Sequence, residues 1–274
     1  MNLDEKIISA LKDLDYKEAT EIQKKAIPIA LKKRDILAAA QSGTGKTAAF
    51  LLPILTELIA NKQPNKPVLR TLILVPTREL ASQISKAAED LGKYLDVQKL
   101  AVFGGVSTKE QEKKIAKGLD ILVATSGRLM EHLKNGTVDL SSVTTVVIDE
   151  VDTMLDMGFL EDIEKILPSV GPKRQIMMFS ATMNQNVKKL AKEFLTDPVV
   201  IEVAQQRSAV KIIDQQIVLV DEANKAAALS YIIGSKNYSQ VLVFVNMKIE
   251  ADTLVEHLEL DGLTAGCIHG DEIG

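Results

Sequence analysis

The chain has 274 residues, 46% hydrophobic and 26% charged, which is close to an average soluble protein and excludes disordered, collagen-like and low-complexity classes. A formal net charge of −4 excludes the broad positive field with which a basic domain gathers polyanions, so any nucleic-acid contact must be local. One cysteine, Cys267, excludes an intramolecular disulfide, and the three histidines (His132, His257, His269) have no ligand-like spacing, so no structural metal site is expected. The start, "MNLDEKIISALKDL", has acids where a secretion signal needs basic residues, and no apolar run reaches membrane-spanning length. The expectation is a soluble, cytoplasmic chain with no membrane partner.

In chain order, short apolar runs alternate with longer amphipathic stretches. "DILAAA" reads as a strand running into "QSGTGKTAAF", a glycine-rich loop that opens a helix. In that setting the backbone N–H groups of Ser42, Gly43, Thr44 and Gly45 can turn towards a phosphate. Lys46 is then placed to reach the β- and γ-phosphates of a nucleotide, and Thr47 to offer its hydroxyl to Mg2+. Ala40 stands where the general pattern has its first glycine, and the alternative is a plain Gly-rich turn before a helix.

"TLILVP" and "RELASQISKAAEDLGKYL" follow as strand and helix, then "KLAVFGG" and "DILVAT" as further strands. "TTVVIDE" ends in two adjacent acids, Asp149 and Glu150, at the carboxyl edge where open α/β sheets hold ligands. Asp149 suits a Mg2+ ion held through water, and Glu150 suits orienting or deprotonating an attacking water. The alternative for the pair is a solvated acidic turn. "QIMMFSAT" and "VVIEV" complete the set. Apolar residues at successive positions predict strands buried on both faces, hence an α/β fold with a mostly parallel sheet flanked by helices.

The polar stretch "AQQRSAVKI" reads as a linker, after which "QQIVLV", "QVLVFV" and "TAGCIH" are expected strands around helices near Ala223–Gly234 and Lys248–Leu260. The expected division is a domain over residues 1–204, a linker over 205–212 and part of a second domain over 213–274.

With these elements placed, the chain resembles the DEAD-box RNA helicases: "DEVD" (Asp149 to Asp152) stands where that family has Asp-Glu-Ala-Asp. "PTREL" (Pro76 to Leu80), the pair Gly104 and Gly105, "TSGR" (Thr125 to Arg128) and "SAT" (Ser180 to Thr182) resemble its further signatures in order. "DYKEATEIQ" resembles the adenine-reading motif, with Tyr16 as the stacking aromatic and Gln23 as the amide for the base edge. The resemblance covers nearly the whole chain, with motifs from about Tyr16 to Gly270. Asp15 and Ala19 replace a usual glycine and proline, Ser126 replaces a proline and leaves an acceptable N-cap, and Val151 replaces alanine.

The resemblance implies a RecA-like P-loop domain followed by an incomplete second RecA-like domain, with ATP and Mg2+ as cofactors and RNA as partner. It implies RNA-backbone contacts from Thr77, Arg78, Gly105, Thr125, Gly127 and Arg128, which carry no base information. Salt bridging on the surface is the alternative for both arginines. Ser180 and Thr182 are expected to hydrogen-bond Asp152 and couple nucleotide state to RNA grip. Because the sequence stops at Gly274, before the family's arginine motif, the expectation is a truncated gene product or an excised segment deficient in unwinding. The alternative is a non-catalytic ATP- and RNA-binding module acting by occupancy of RNA or a partner.

Overall fold

The computed structural model describes residues 3–41, 43–61, 67–203, 214 and 216–270; Ser42, the expected linker 205–212 and residues 271–274 lie outside them. The chain divides into two compact units, residues 1–206 and 207–274.

In the first unit, α1 (Glu5–Asp13) and α2 (Glu21–Ala30) precede β1 (Ile36–Ala39) and α3 (Lys46–Ala60). Next come β2 (Thr71–Val75), α4 (Arg78–Leu91), β3 (Lys99–Val102), α5 (Thr108–Ile115), β4 (Ile121–Thr125) and α6 (Ser126–Lys134). Then follow β5 (Thr145–Ile148), α7 (Val151–Asp156), α8 (Leu160–Ile166), β6 (Gln175–Ser180), α9 (Gln185–Phe194) and β7 (Val199–Glu202). Every strand expected before residue 204 is present. They form one seven-stranded sheet in the order β3-β4-β2-β5-β6-β1-β7. Each adjacent pair is parallel.

The unbroken apolar runs follow from two-sided burial. Along β2, Ile73 and Val75 enter one core, with Phe50 and Leu55 of α3, while Leu72 and Leu74 enter the other, with Leu129 of α6 and Ile163 of α8. Successive strand side chains point to opposite faces, so a strand covered on both sides must be apolar at every position. Phe179 of β6 meets Phe50 of α3 in a tilted pair with ring centroids 5.4 Å apart.

Asp15 stands where the resemblance leads one to expect glycine. It has φ +56° immediately after the C-cap of α1, and its N–H donates to Lys12 O while the Tyr16 N–H donates to Leu11 O. This Schellman ending needs a left-handed residue; glycine adopts it freely and aspartate tolerates it. The helix stop therefore survives the substitution and still fixes where Tyr16 begins.

In the second unit the helices Lys225–Ser235 and Lys248–Leu260 lie within two residues of expectation. The three expected strands do not: among the described residues, "QQIVLV", "QVLVFV" and "TAGCIH" pair in no ladder. Ile217 is 91% exposed, Leu219 92% and Phe244 87%, and Leu258 is the one buried apolar residue described in this unit. A β-rich apolar run records a capacity for burial, but a parallel strand forms only against a hydrogen-bonding neighbour and covered faces.

Phe179→Ala is expected to cost about 3–5 kcal/mol of unfolding free energy. Phe244→Ala should change it by less than about 0.5 kcal/mol. Urea unfolding followed by circular dichroism checks both; equal effects would contradict this division of core from surface.

Candidate functional site

The sheet order sets β5, β6 and β1 side by side, and their parallel sense puts all three carboxyl ends on one edge. Beyond β1 the chain keeps the ladder for one residue, Ala40 N–H donating to Ser180 O at 2.9 Å, and then turns into the glycine-rich loop. Thr44 closes that turn, its hydroxyl donating to Gln41 O at 2.6 Å. Gly45 caps α3 at φ +93°, and a Cβ there would sit 2.5 Å from Gln23 Nε2 and 3.0 Å from Thr20 Oγ1. Only glycine meets both demands, the left-handed backbone and the close approach. Gly43 shares the positive φ at +81°.

Gln23 is 3% exposed and both ends of its amide are engaged: Oε1 accepts from Thr20 N–H at 3.0 Å and Nε2 donates to Gly45 O at 3.1 Å. It completes a capping box on α2 and braces the loop. The residue expected to read a base edge is thus a strut of the phosphate loop here. Tyr16 is 46% exposed, as a stacking surface must be.

Lys46, the first residue of α3, is 6% exposed. Its ammonium lies 3.7 Å from Asp149 Oδ1, an ion-pair distance too long for a hydrogen bond, and it donates to no acceptor among the described residues. Thr47 follows it, half-buried. Asp149 is anchored by its own N–H, which donates to Leu74 O at 3.0 Å. Burial pushes its carboxyl up to about 6, opposed by Lys46 and the Glu150 amide and reinforced by the Glu150 charge. Glu150 takes φ +53°, ψ +50°, rare for a side chain of this size, and its N–H donates to Asp149 Oδ1 at 3.0 Å. The left-handed turn starts α7 directly after the strand, which separates the two carboxylates in space.

One turn on, Asp152 accepts from Thr182 N–H at 2.8 Å, Thr182 Oγ1 at 2.9 Å and Ala181 N–H at 3.4 Å. Burial acts to raise its pKa, but these donors and the nearby Ser180 hydroxyl together hold the carboxyl below the ordinary range. Thr182 therefore binds Asp152 directly, while Ser180 Oγ is buried and makes no hydrogen bond of standard geometry. The loop after β6 is tied to the acids after β5.

Beside this edge lies an open groove of about 520 Å³, lined among others by Thr77, Arg78, Thr125, Gly127 and Arg128. It gathers five of the six residues expected to hold a sugar-phosphate backbone. The sixth, Gly105, stands at φ +82° with its Cβ position 2.6 Å from Arg78 Nη1, so its bare backbone is what lets Arg78 lie across it. Thr77 caps α4 by accepting from Leu80 N–H at 3.2 Å.

The two arginines differ. Arg78 is 58% exposed by side chain, with only a loose contact to Glu79 at 3.7 Å. Arg128 is 10% exposed; its Nη1 donates to Val106 O at 2.8 Å and Gln111 Oε1 at 2.9 Å, and its Nε pairs with Glu131 at 2.9 Å. Gln111 Nε2 donates to Phe103 O, so its Oε1 also accepts from His132, which fixes the His132 proton on Nε2. Burial, then the Arg128 charge, lowers the His132 pKa. Neither Gln111 nor His132 carries a signal readable in the sequence.

Ser126 is the first residue of α6 and Thr125 is its N-cap. The expected N-cap role of Ser126 is therefore corrected: its hydroxyl donates to Asp162 Oδ2 at 2.7 Å and ties α6 to α8. Val151 is fully buried in the second core beside Met154.

A family model described as DEAD/DEAH box helicase matches residues 20–190. The chain belongs to the DEAD-box helicase family. It is 38% identical over 271 residues, 99% of its length, to the DEAD-box ATP-dependent RNA helicase RhpA of Helicobacter pylori. It is 37% identical over 270 residues to the DEAD-box ATP-dependent RNA helicase CshA of Bacillus subtilis. In both cases it covers 54% of the relative, so the chain spans about half the length of the curated relatives it matches. The crystal structure of a DEAD box protein from Methanococcus jannaschii superposes with a TM-score of 0.70 at 34% identity, covering all of this chain and 72% of that one. The parallel sheet with its P-loop edge is RecA-like. No helix among the described residues is long and apolar enough to cross a membrane.

The raised Asp149 pKa fixes a sign. Its protonated form is favoured in the folded chain, so the associated stability is complete below the ordinary carboxylate value of about 3.9 and is lost as pH climbs through about 6. Asp149→Asn should gain thermal stability over the parent as pH rises across this window and hold a constant advantage above it. A difference independent of pH, in melting curves followed from acid to neutral, would show that Asp149 titrates normally.

Proposed function

We propose that the first unit binds Mg-ATP at the glycine-rich loop and RNA in the adjoining groove, as the ATP-hydrolysing half of an ATP-dependent RNA helicase. The observation that carries this reading is the Lys46 ammonium, buried beside Asp149 with no hydrogen-bond acceptor among the described residues and preceded by Gly45, a position that only glycine can fill. A buried cation in that state is costly unless a ligand anion completes it. ATP fits, its phosphates meeting Lys46 and the loop amides, and Thr47 with Asp149 suits Mg2+. Bound Mg2+ neutralises charge developing on the transferred phosphoryl group. Glu150 orients or deprotonates water, a role separate from phosphate binding.

The two roles separate in variants. Lys46→Ala is expected to abolish binding of a fluorescent ATP analogue, while Glu150→Gln retains binding and loses most turnover. Equal loss of binding in both would sink the assignment. Adenine selection rests on Tyr16 and Gln23, and requires Gln23 to exchange Gly45 O and Thr20 N–H for the base edge. Gln23→Ala should therefore narrow the difference between ATP and GTP affinity and weaken both, because it also unbraces Gly45. A parent chain that binds the two nucleotides equally would refute the base-reading role.

For RNA, Arg78 is the cation free to meet a phosphate, whereas Arg128 shapes the groove by holding Val106 and Gln111. Arg78→Ala should weaken RNA binding at low salt and reduce its salt dependence by about one phosphate contact.

This chain by itself binds RNA weakly and does not displace strands. The support is the second unit, whose described residues form no paired strands and bury one apolar side chain, so it offers no rigid body to close on RNA. RNA-stimulated turnover alongside displacement of a short labelled strand, with Lys46→Ala as blank, tests this; displacement well above the blank overturns it.

A further inference from the structure

The second unit brings together three side chains that sequence spacing keeps apart. Cys267 and His269 alternate along one extended segment and so share a face. Asp252, on the helix Lys248–Leu260, meets them both: its Oδ1 accepts from Cys267 Sγ at 3.3 Å and from His269 Nε2 at 2.9 Å. One sulfur, one imidazole nitrogen and one carboxylate oxygen thus lie within 4.8 Å of one another. We propose that Asp252, Cys267 and His269 form a binding site for a borderline divalent transition-metal ion, Zn2+ being the natural occupant, with water completing the coordination.

The dimensions suit it. Zinc holds sulfur at about 2.3 Å and nitrogen or oxygen at about 2.0–2.2 Å in a tetrahedron, which sets neighbouring ligand atoms about 3.3–3.7 Å apart. The Cys267 Sγ and His269 Nε2 separations from Asp252 Oδ1, 3.3 and 2.9 Å, lie at and just below the short end of that range and need only a small swing of the Asp252 carboxylate. The donor set selects the ion: a thiolate and an imidazole favour Zn2+ over Mg2+ or Ca2+, which prefer oxygen alone. Charge balances as well. The ion replaces the thiol proton that Cys267 directs at Asp252, and His269 binds through Nε2 once the proton it directs at Asp252 has moved through solvent to Nδ1; thiolate and carboxylate then supply two negative charges against two positive.

The location gives the site a structural purpose. A unit whose described residues bury one apolar side chain has little core with which to hold a helix against an extended segment. Small units in that position are commonly stapled by a metal. The ion would clamp residues 267–269 onto the helix and order this unit, independently of the nucleotide site.

Co2+ titration of the 274-residue chain without nucleotide tests this, because a cysteine thiolate bound to Co2+ gives a near-ultraviolet charge-transfer band. The expected result is one equivalent of Co2+ with that band, displaced by Zn2+ and tightening as pH rises. Cys267→Ser should lose the band. His269→Ala and Asp252→Asn should each weaken Zn2+ binding by more than the ~10-fold that even outer-sphere partners supply, whereas His257→Ala should leave it unchanged. Zn2+ should also slow proteolysis of the second unit in the parent and not in Cys267→Ser. Absence of the band, or Zn2+ affinity undiminished in both His269→Ala and Asp252→Asn, overturns the site and leaves an adventitious thiol-bound ion only.

Discussion

A lysine and an aspartate, both almost wholly out of water and 3.7 Å apart, are the constraint around which the first unit is arranged. Charges are seldom buried unless paired, and even a pair is expensive to desolvate. Holding this one requires a sheet that keeps the ends of β1 and β5 a fixed distance apart, which β6 does by lying between them. It requires a helix that begins at Lys46 without a side-chain cap, which the left-handed Gly45 permits. It also requires dry surroundings, supplied by the two cores above and below the sheet. The cost of the arrangement is stored in a partly compensated ammonium and a carboxyl pushed up to about 6, and both are features an anionic, metal-bearing ligand relieves.

Backbone geometry sets the three acids that follow β5 in three different surroundings. Asp149 stays with the ladder and faces Lys46. Glu150 is turned away by a left-handed φ, a strain of the kind that persists where surrounding structure over-determines it. Asp152, one residue into α7, reaches across to Thr182. Lys46 and the segment after β6 thereby both meet acids that follow β5. The groove lies on the same edge, shaped by Gly105 beneath Arg78 and by the Arg128, Gln111 and His132 network.

The strands of the first unit were legible because two-sided burial writes itself as an unbroken apolar run; Asp149 and Glu150 were singled out at the end of one such run, and Lys46 after the glycine-rich loop that follows another. Residues whose roles depend on a distant partner were not. Gln23 was read as facing a base; the contacts of its amide to Thr20 and to Gly45, the latter 22 residues away, carried no signal in the sequence. Arg128 carried the charge expected of a phosphate contact; its ties to Val106 O, Glu131 and a buried glutamine on another helix were not legible. The spacing of the three histidines carried no sign that Cys267 and His269 both meet Asp252, 15 and 17 residues back on a helix.

The second unit shows why helices and strands fail differently. The helices Lys225–Ser235 and Lys248–Leu260 satisfy their backbone within their own segments, so their limits follow from local sequence. "QVLVFV" has every local property of a buried parallel strand, and in the first unit runs of the same character pair along most of their length. What differs is the neighbourhood: β2 has β4 on one side and β5 on the other, with helices over both faces. Phe244 has solvent. A parallel strand is thus a property of its surroundings, and a device that holds an extended segment to a helix by three side chains acts where no sheet does.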